Sequence, residues 1–253
     1  MGALFGKLNT EVKGVEKVQD RVGGGGFHVP ADIYEATIKM MYADKSANGA
    51  NSINITYEVD GKELRETLWV TNREGEVATT SERDGKTRYM GGYIIANDIC
   101  MIALDQELTE VEFEEKSIKV YDPGEGKEVN KPMPVAVDII GKKVLLGLAH
   151  IKKFKQAKGD DGKYHDTDKV IEVNEISKVF IPDDKRTVVE VQNEVEEPAF
   201  YDTWLEANKG KERDFTKGKT GGSGNGRPQA GGQQQGGGQG EAPTGRRMFG
   251  KKK

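Results

Sequence analysis

From residue 33 to residue 71 apolar and polar side chains alternate in three runs, the period of strands with one face in a core. Residues 33–43 place Tyr34, Ala36, Ile38, Met40 and Tyr42 on one side. Residues 52–60 set Ile53, Ile55, Tyr57 and Val59 against polar neighbours. Asp60-Gly61 then has the residue types of a type I′ hairpin turn. The chain returns through residues 62–71 with Leu64, Leu68 and Val70 facing inward. Three antiparallel strands are predicted.

Beyond them the pattern changes. Residues 72–92 read as a long polar loop, and residues 93–106 as a helix whose dense apolar positions must cover the sheet. Residues 107–134 carry one short strand signal at 117–121 and a turn signal at Asp122-Pro123-Gly124. Residues 135–140 are apolar and fit either a strand or a core segment. Residues 142–156 and 170–182 read as two long paired strands, joined through the turn-rich Gly159-Asp160-Asp161-Gly162. Residues 183–208 look helical with a break at Pro198, after which Ala199, Phe200, Trp204 and Leu205 form a docking segment.

Strand, strand, strand, helix and a final long hairpin is the element order of the OB-fold, a five-stranded barrel with a helix between its third and fourth strands. The expected class is therefore mainly β with helices, an OB-fold barrel over residues 27–209 plus a C-terminal helix. The alternative is another α+β sheet with one covering helix. Residues 1–22 space Leu4, Leu8, Val12, Val15, Val18 and Val22 as a short amphipathic helix. Residues 23–26 are four glycines, a hinge rather than a phosphate loop, because no Lys-Ser/Thr pair follows.

Residues 210–253 form a tail. Ten of the twenty residues at 221–240 are glycine, and such a segment lacks the apolar surface to offset ordering entropy, so disorder is expected. Its tip holds Arg246, Arg247, Lys251, Lys252 and Lys253 around Met248 and Phe249. A weak, salt-sensitive contact with a polyanion and a small apolar hook are expected there.

Composition narrows the picture. With 35% hydrophobic and 32% charged residues, the chain supports one modest core under a heavily solvated surface. The single cysteine, Cys100, lies in an apolar run, which excludes an intrachain disulfide and predicts a buried packing role. No apolar stretch approaches membrane-spanning length and the N-terminus lacks a signal-peptide pattern, so a cytoplasmic location is expected. The net charge of −4 divides unevenly: residues 209–253 hold eleven basic and three acidic residues, leaving about −12 on the remainder. Within that acidic remainder, residues 141–158 contain six lysines and no acid.

Candidate ligand chemistry follows from these patterns. Arg65, Thr67 and Trp69 share the strand face opposite Leu64 and Leu68. An indole beside a guanidinium on a solvated face is a stacking platform for an unpaired base, although such an indole also packs under a loop. Lys152, Lys153, Phe154, Lys155 and Lys158, with Tyr164 beyond the turn, set aromatics among phosphate-attracting lysines. Charge runs are commonly solvated faces, but an acid-free run in an acidic body favours binding. Arg88 lies in the 72–92 loop, whose Arg73, Arg83 and Lys86 are offset by Glu74, Glu76, Glu82 and Asp84. His28, His150 and His165 are too scattered for a metal constellation and no cysteine pair accompanies them. No nucleophile–base arrangement emerges either, so neither catalysis, metal nor cofactor is expected.

With the strand Glu66-Thr67-Leu68-Trp69-Val70-Thr71, the helix start Tyr93-Ile94-Ile95-Ala96-Asn97 and the Lys152–Lys155 hairpin in place, the chain resembles the replicative single-stranded DNA-binding proteins of tailed bacteriophages over residues 27–208. The resemblance implies an OB-fold that coats transient single strands in the host cytoplasm during DNA replication, recombination and repair. It also implies recruitment of replication proteins through the tail or through acidic segments such as residues 190–206. Many members end in an acidic tip, and the basic end of this chain departs from that habit. Two other readings fit the same pattern: a structural or scaffold protein of a phage assembly, and an RNA-binding OB-fold protein.

Overall fold

The computed structural model describes residues 28–82, 84–122, 124–159 and 164–217. The expected N-terminal helix, the glycine hinge and the tail beyond residue 217 lie outside these residues, whereas residues 210–217, expected as the disordered start of the tail, are described and contain a short strand paired to the sheet. Among those described, 49% are in strands and 16% in helices, so the protein is mainly β.

The first three strands are β1 (Asp32–Lys45), β2 (Asn51–Val59) and β3 (Lys62–Trp69). Their antiparallel registers run Lys45↔Asn51 to Thr37↔Glu58 and Val59↔Lys62 to Ser52↔Trp69. Asp60 and Gly61 both take positive φ, 49° and 72°, as a type I′ turn requires. Ile53, Ile55, Tyr57 and Val59 are all buried. β1 departs from its expected face. A bulge between Ile38 and Met40 shifts its phase, so Met41 enters the core while Met40 and Tyr42 turn outward beside Thr56 and Asn54.

Residues 72–92 are not an unstructured loop. They contain the hairpin β4 (Ala78–Thr80) and β5 (Thr87–Tyr89), a separate two-stranded sheet. Helix α1 (Gly91–Leu104) follows, buried around most of its circumference, with Ile95, Ala96, Ile99 and Cys100 in the core. It ends at Asp105, whose φ of 57° is left-handed and whose N–H returns to the Met101 carbonyl.

The ambiguous stretch after α1 is a second hairpin, β6 (Glu114–Asp122) and β7 (Lys127–Val135). It joins the main sheet where Val135 pairs with Tyr42 of β1, next to the Ala136 N–H that donates to the Met41 carbonyl at 2.9 Å. The two long strands are β8 (Lys143–Lys158) and β9 (Tyr164–Phe180), both longer than their apolar pattern indicates. β8 pairs with the first half of β1 from Asp32↔Leu148 to Thr37↔Lys143, then continues past the start of β1 as a projecting hairpin with β9.

A closed five-stranded barrel does not form: the sheet is open. β3 and β9 are its facing edges, and instead of a ladder a side chain spans them. The Ile176 N–H donates to Glu66 Oε2 at 2.8 Å. Glu66 occupies the inward position between Leu64 and Leu68, where the alternation calls for an apolar residue.

The expected C-terminal helix divides in two, α2 (Val188–Gln192) and α3 (Ala199–Asn208). Thr187 and Glu190 form a capping box on α2, and Glu190 Oε1 also accepts the Phe200 N–H at 2.8 Å. That carboxylate therefore sets the start of α3. Trp204 of α3 lies over Gly147 of β8 and donates to Ser177 Oγ at 3.0 Å. A short strand, β10 (Glu212–Asp214), then runs parallel to the free edge of β8 from His150 to Lys152.

Candidate nucleic-acid interface

The outer face of β3 presents Arg65, Thr67 and Trp69, all exposed. Pairing with β2 and β1 widens it into a patch that includes Thr56, Asn54, Met40 and Tyr42. Thr67 Oγ1 donates to Asn54 Oδ1 at 2.6 Å, which fixes the centre of the patch. Trp69 is 39% exposed, whereas Trp204 is 4% exposed. The indole of Trp69 is therefore available, although its backbone is not: Gly92 at the start of α1 lies directly against the Trp69 main chain. A glycine is needed there because a Cβ would meet the Trp69 nitrogen at 2.7 Å and its carbonyl closer still.

Arg65 donates to Glu63 at 3.1 Å and to Glu128 of β7 at 3.2 Å, and these two carboxylates raise its pKa. The second contact brings the β6–β7 hairpin against this face. Tyr121 is the register partner of Glu128, so both side chains leave the hairpin on the same side. Tyr121 is 63% exposed. It is the aromatic that sequence reasoning missed, because nothing in its local pattern shows that this hairpin turns towards β3.

The lysine-rich segment forms a second patch on the projecting β8–β9 hairpin. Alternation divides it: Lys152 and Phe154 share one face with His150, and Lys153 takes the other. Phe154 is half-buried and pairs with exposed Val170, and Tyr164 is 67% exposed at the hairpin end. Lys153 is bound to Glu175 at 2.5 Å, and Lys152 lies opposite Asp214 of β10. Lys155 sits at a bulge and is exposed. Lys158 pairs in register with Tyr164, and its side chain lies outside the described set.

Arg88 lies on β5 of the two-stranded sheet, held by both oxygens of Asp84 at 3.0 and 2.6 Å. That guanidinium holds the Asp84 carboxyl well below the usual range. Among the described residues, no hydrogen bond or ion pair joins the side chains of the β3 patch, the β8–β9 patch and Arg88. Arg65, Arg88 and Lys153 each have a carboxylate partner. Exposed pairs of this kind are worth ~0–1 kcal/mol, so a phosphate can exchange for the carboxylate at small cost. The arrangement can stack planar groups on Trp69 and Tyr121 and offers exchangeable cations around them.

The histidines also differ from expectation. His28 and His150 stack with ring centroids 4.5 Å apart, although 145 residues separate the neighbouring Val29 from its bonding partner Asn174. No helix among the described residues is long and apolar enough to cross a membrane. Comparison with protein-family models and with curated proteins finds no match.

Proposed function

We propose that this protein binds single-stranded DNA with little sequence preference, protecting it during phage DNA replication, recombination and repair. The observation that carries the reading is the exposed Trp69 indole on a solvated three-strand face that also presents Arg65, through which the hairpin bearing Tyr121 contacts that face. Stacking on an aromatic contributes ~1–3 kcal/mol per base and tolerates any base, because each has a π-face. Arg65, Lys152 and Lys155 supply phosphate attraction, with Phe154 and Tyr164 extending the stacking surface along the projecting hairpin.

The order of elements around the open sheet supports this reading, as that of an opened OB-fold. β1 is shared between β2 and β8, a helix lies between the third strand and the final hairpin, and Glu66 spans the gap where an OB barrel would close. The β3 face corresponds to the ligand surface of such a barrel. Replication proteins would be recruited by acidic residues 190–206 or by the tail.

The test is a competition titration with oligo-dT, a matched RNA oligomer and duplex DNA. Preferential binding of oligo-dT, weakening steeply with salt through counterion release, is expected. Equal affinity for duplex would exclude base stacking as the mode, and preference for RNA would reassign the ligand. Absence of binding at low salt would favour the scaffold reading.

A further inference from the structure

His28, His150 and Glu172 converge from three parts of the chain. Asn174 brackets the segment before β1: its Oδ1 accepts the Val29 N–H at 2.8 Å and its Nδ2 donates to the Val29 carbonyl at 2.9 Å. Asn174 is the register partner of His150, so this bracket seats His28 over the His150 ring. Glu172 lies two residues before Asn174 and projects on the same face. Nε2 of His28 and Nε2 of His150 then meet one oxygen, Glu172 Oε2, at 3.2 and 3.1 Å. All three ligand atoms fall within 4.8 Å of one another.

The company this carboxylate keeps is informative. Lys152 stands directly across from Glu172, yet no ion pair joins them among the described residues. The oxygen is instead shared by two imidazoles. Two imidazole nitrogens and a carboxylate oxygen are a donor set of zinc and neighbouring transition metals, whereas calcium and magnesium take oxygen ligands. All three side chains keep some exposure, between 16% and 36%, so an ion can enter from solvent.

We propose that His28, His150 and Glu172 form a binding site for a divalent transition-metal ion, with zinc as the chemistry that suits it. Three protein ligands leave a coordination position for water, which makes the site exchangeable rather than a closed structural centre. A bound ion ties the segment preceding β1 to the base of the β8–β9 hairpin. The proposal stands independently of nucleic-acid binding, and either can fail alone.

The test uses the full chain, free of any histidine tag and stripped of metal by chelator. Zinc is titrated calorimetrically at neutral pH, and thermal unfolding is followed with zinc and with magnesium. One zinc per chain is expected, with a midpoint rise of about 5 °C or more once zinc exceeds its Kd about 100-fold. Magnesium is expected to give no shift. His150→Ala and Glu172→Gln should abolish saturable binding, and His165→Ala should leave it intact. Cobalt absorption of the unmutated protein reads nitrogen ligation directly, so a variant that fails to fold does not decide the matter. An unchanged aqueous cobalt spectrum, zinc binding retained in the His28→Ala/His150→Ala variant, or an equal shift with magnesium overturns the proposal.

Discussion

Glu66→Gln tests whether a carboxyl group holds the open seam of the sheet. Burial pushes the Glu66 pKa from its ordinary 4.5 up to about 8; the Ile176 N–H and Lys153 oppose the shift, and Glu175 adds to it. Between those two values the folded protein retains a proton that the unfolded chain has released. Stability therefore falls as pH rises through that window and levels off above it. At ~1.4 kcal/mol per unit the full shift sets a ceiling of about 5 kcal/mol. Water entering a seam that has no ladder relaxes part of that penalty, so a difference of about 2 kcal/mol is expected. Glutamine keeps the carbonyl acceptor for the Ile176 N–H and has no proton to release. Urea unfolding should show the variant matching the parent near pH 5 and exceeding it by about 2 kcal/mol near pH 8.5. Parallel pH profiles for the two proteins, or a parent that gains stability relative to the variant with rising pH, would show that Glu66 does not keep its proton in the folded seam.

Gly92→Ala should cost about 3 kcal/mol or more in urea unfolding, because the added methyl meets the Trp69 backbone rather than a movable side chain. It should also lower affinity for oligo-dT by displacing the indole. Gly147→Ala forces a methyl to within 2.9 Å of the Trp204 ring and should cost about 1–3 kcal/mol, with increased amide exchange in α3. Asp98 of α1 pairs with Lys178 of β9 at 3.1 Å, with side chains 6% and 16% exposed. Asp98→Ala strands that ammonium and should cost about 3–5 kcal/mol, whereas an Asp98→Leu/Lys178→Met variant should recover much of the loss in the same assay.

The early part of the fold was legible because one sequence period served one face. Ile53, Ile55, Tyr57 and Val59 alternate without interruption, and all four are buried. Met40 was assigned to the wrong side because a bulge adds a residue that alternation cannot register. Glu66 was passed over because a carboxylate at an inward position carries no apolar signal. The β6–β7 hairpin escaped notice for a different reason. It projects from the sheet and is mostly exposed along Glu114–Asp122, so it lacks the one-sided burial that writes a pattern. The Arg65–Trp69 face was readable from local spacing, whereas Tyr121 and the His28–His150–Glu172 cluster depend on contacts between distant segments.

Trp69 carries the proposed base stacking. Its exposure, against the burial of Trp204, makes intrinsic fluorescence a nearly site-specific probe among the two tryptophans. The measurement is a fluorescence titration with oligo-dT at low salt, run in parallel on the parent and on Trp69→Ala, with affinity read independently by anisotropy of labelled oligomer. Saturable quenching in the parent, loss of that quenching in the variant, and an affinity reduced about 5- to 100-fold are expected. Unfolding of the variant is measured alongside, because at 39% exposure much of the Trp69 surface is covered and its loss can also cost stability. Tight binding that leaves the fluorescence untouched, together with equal anisotropy curves for the two proteins, would contradict it.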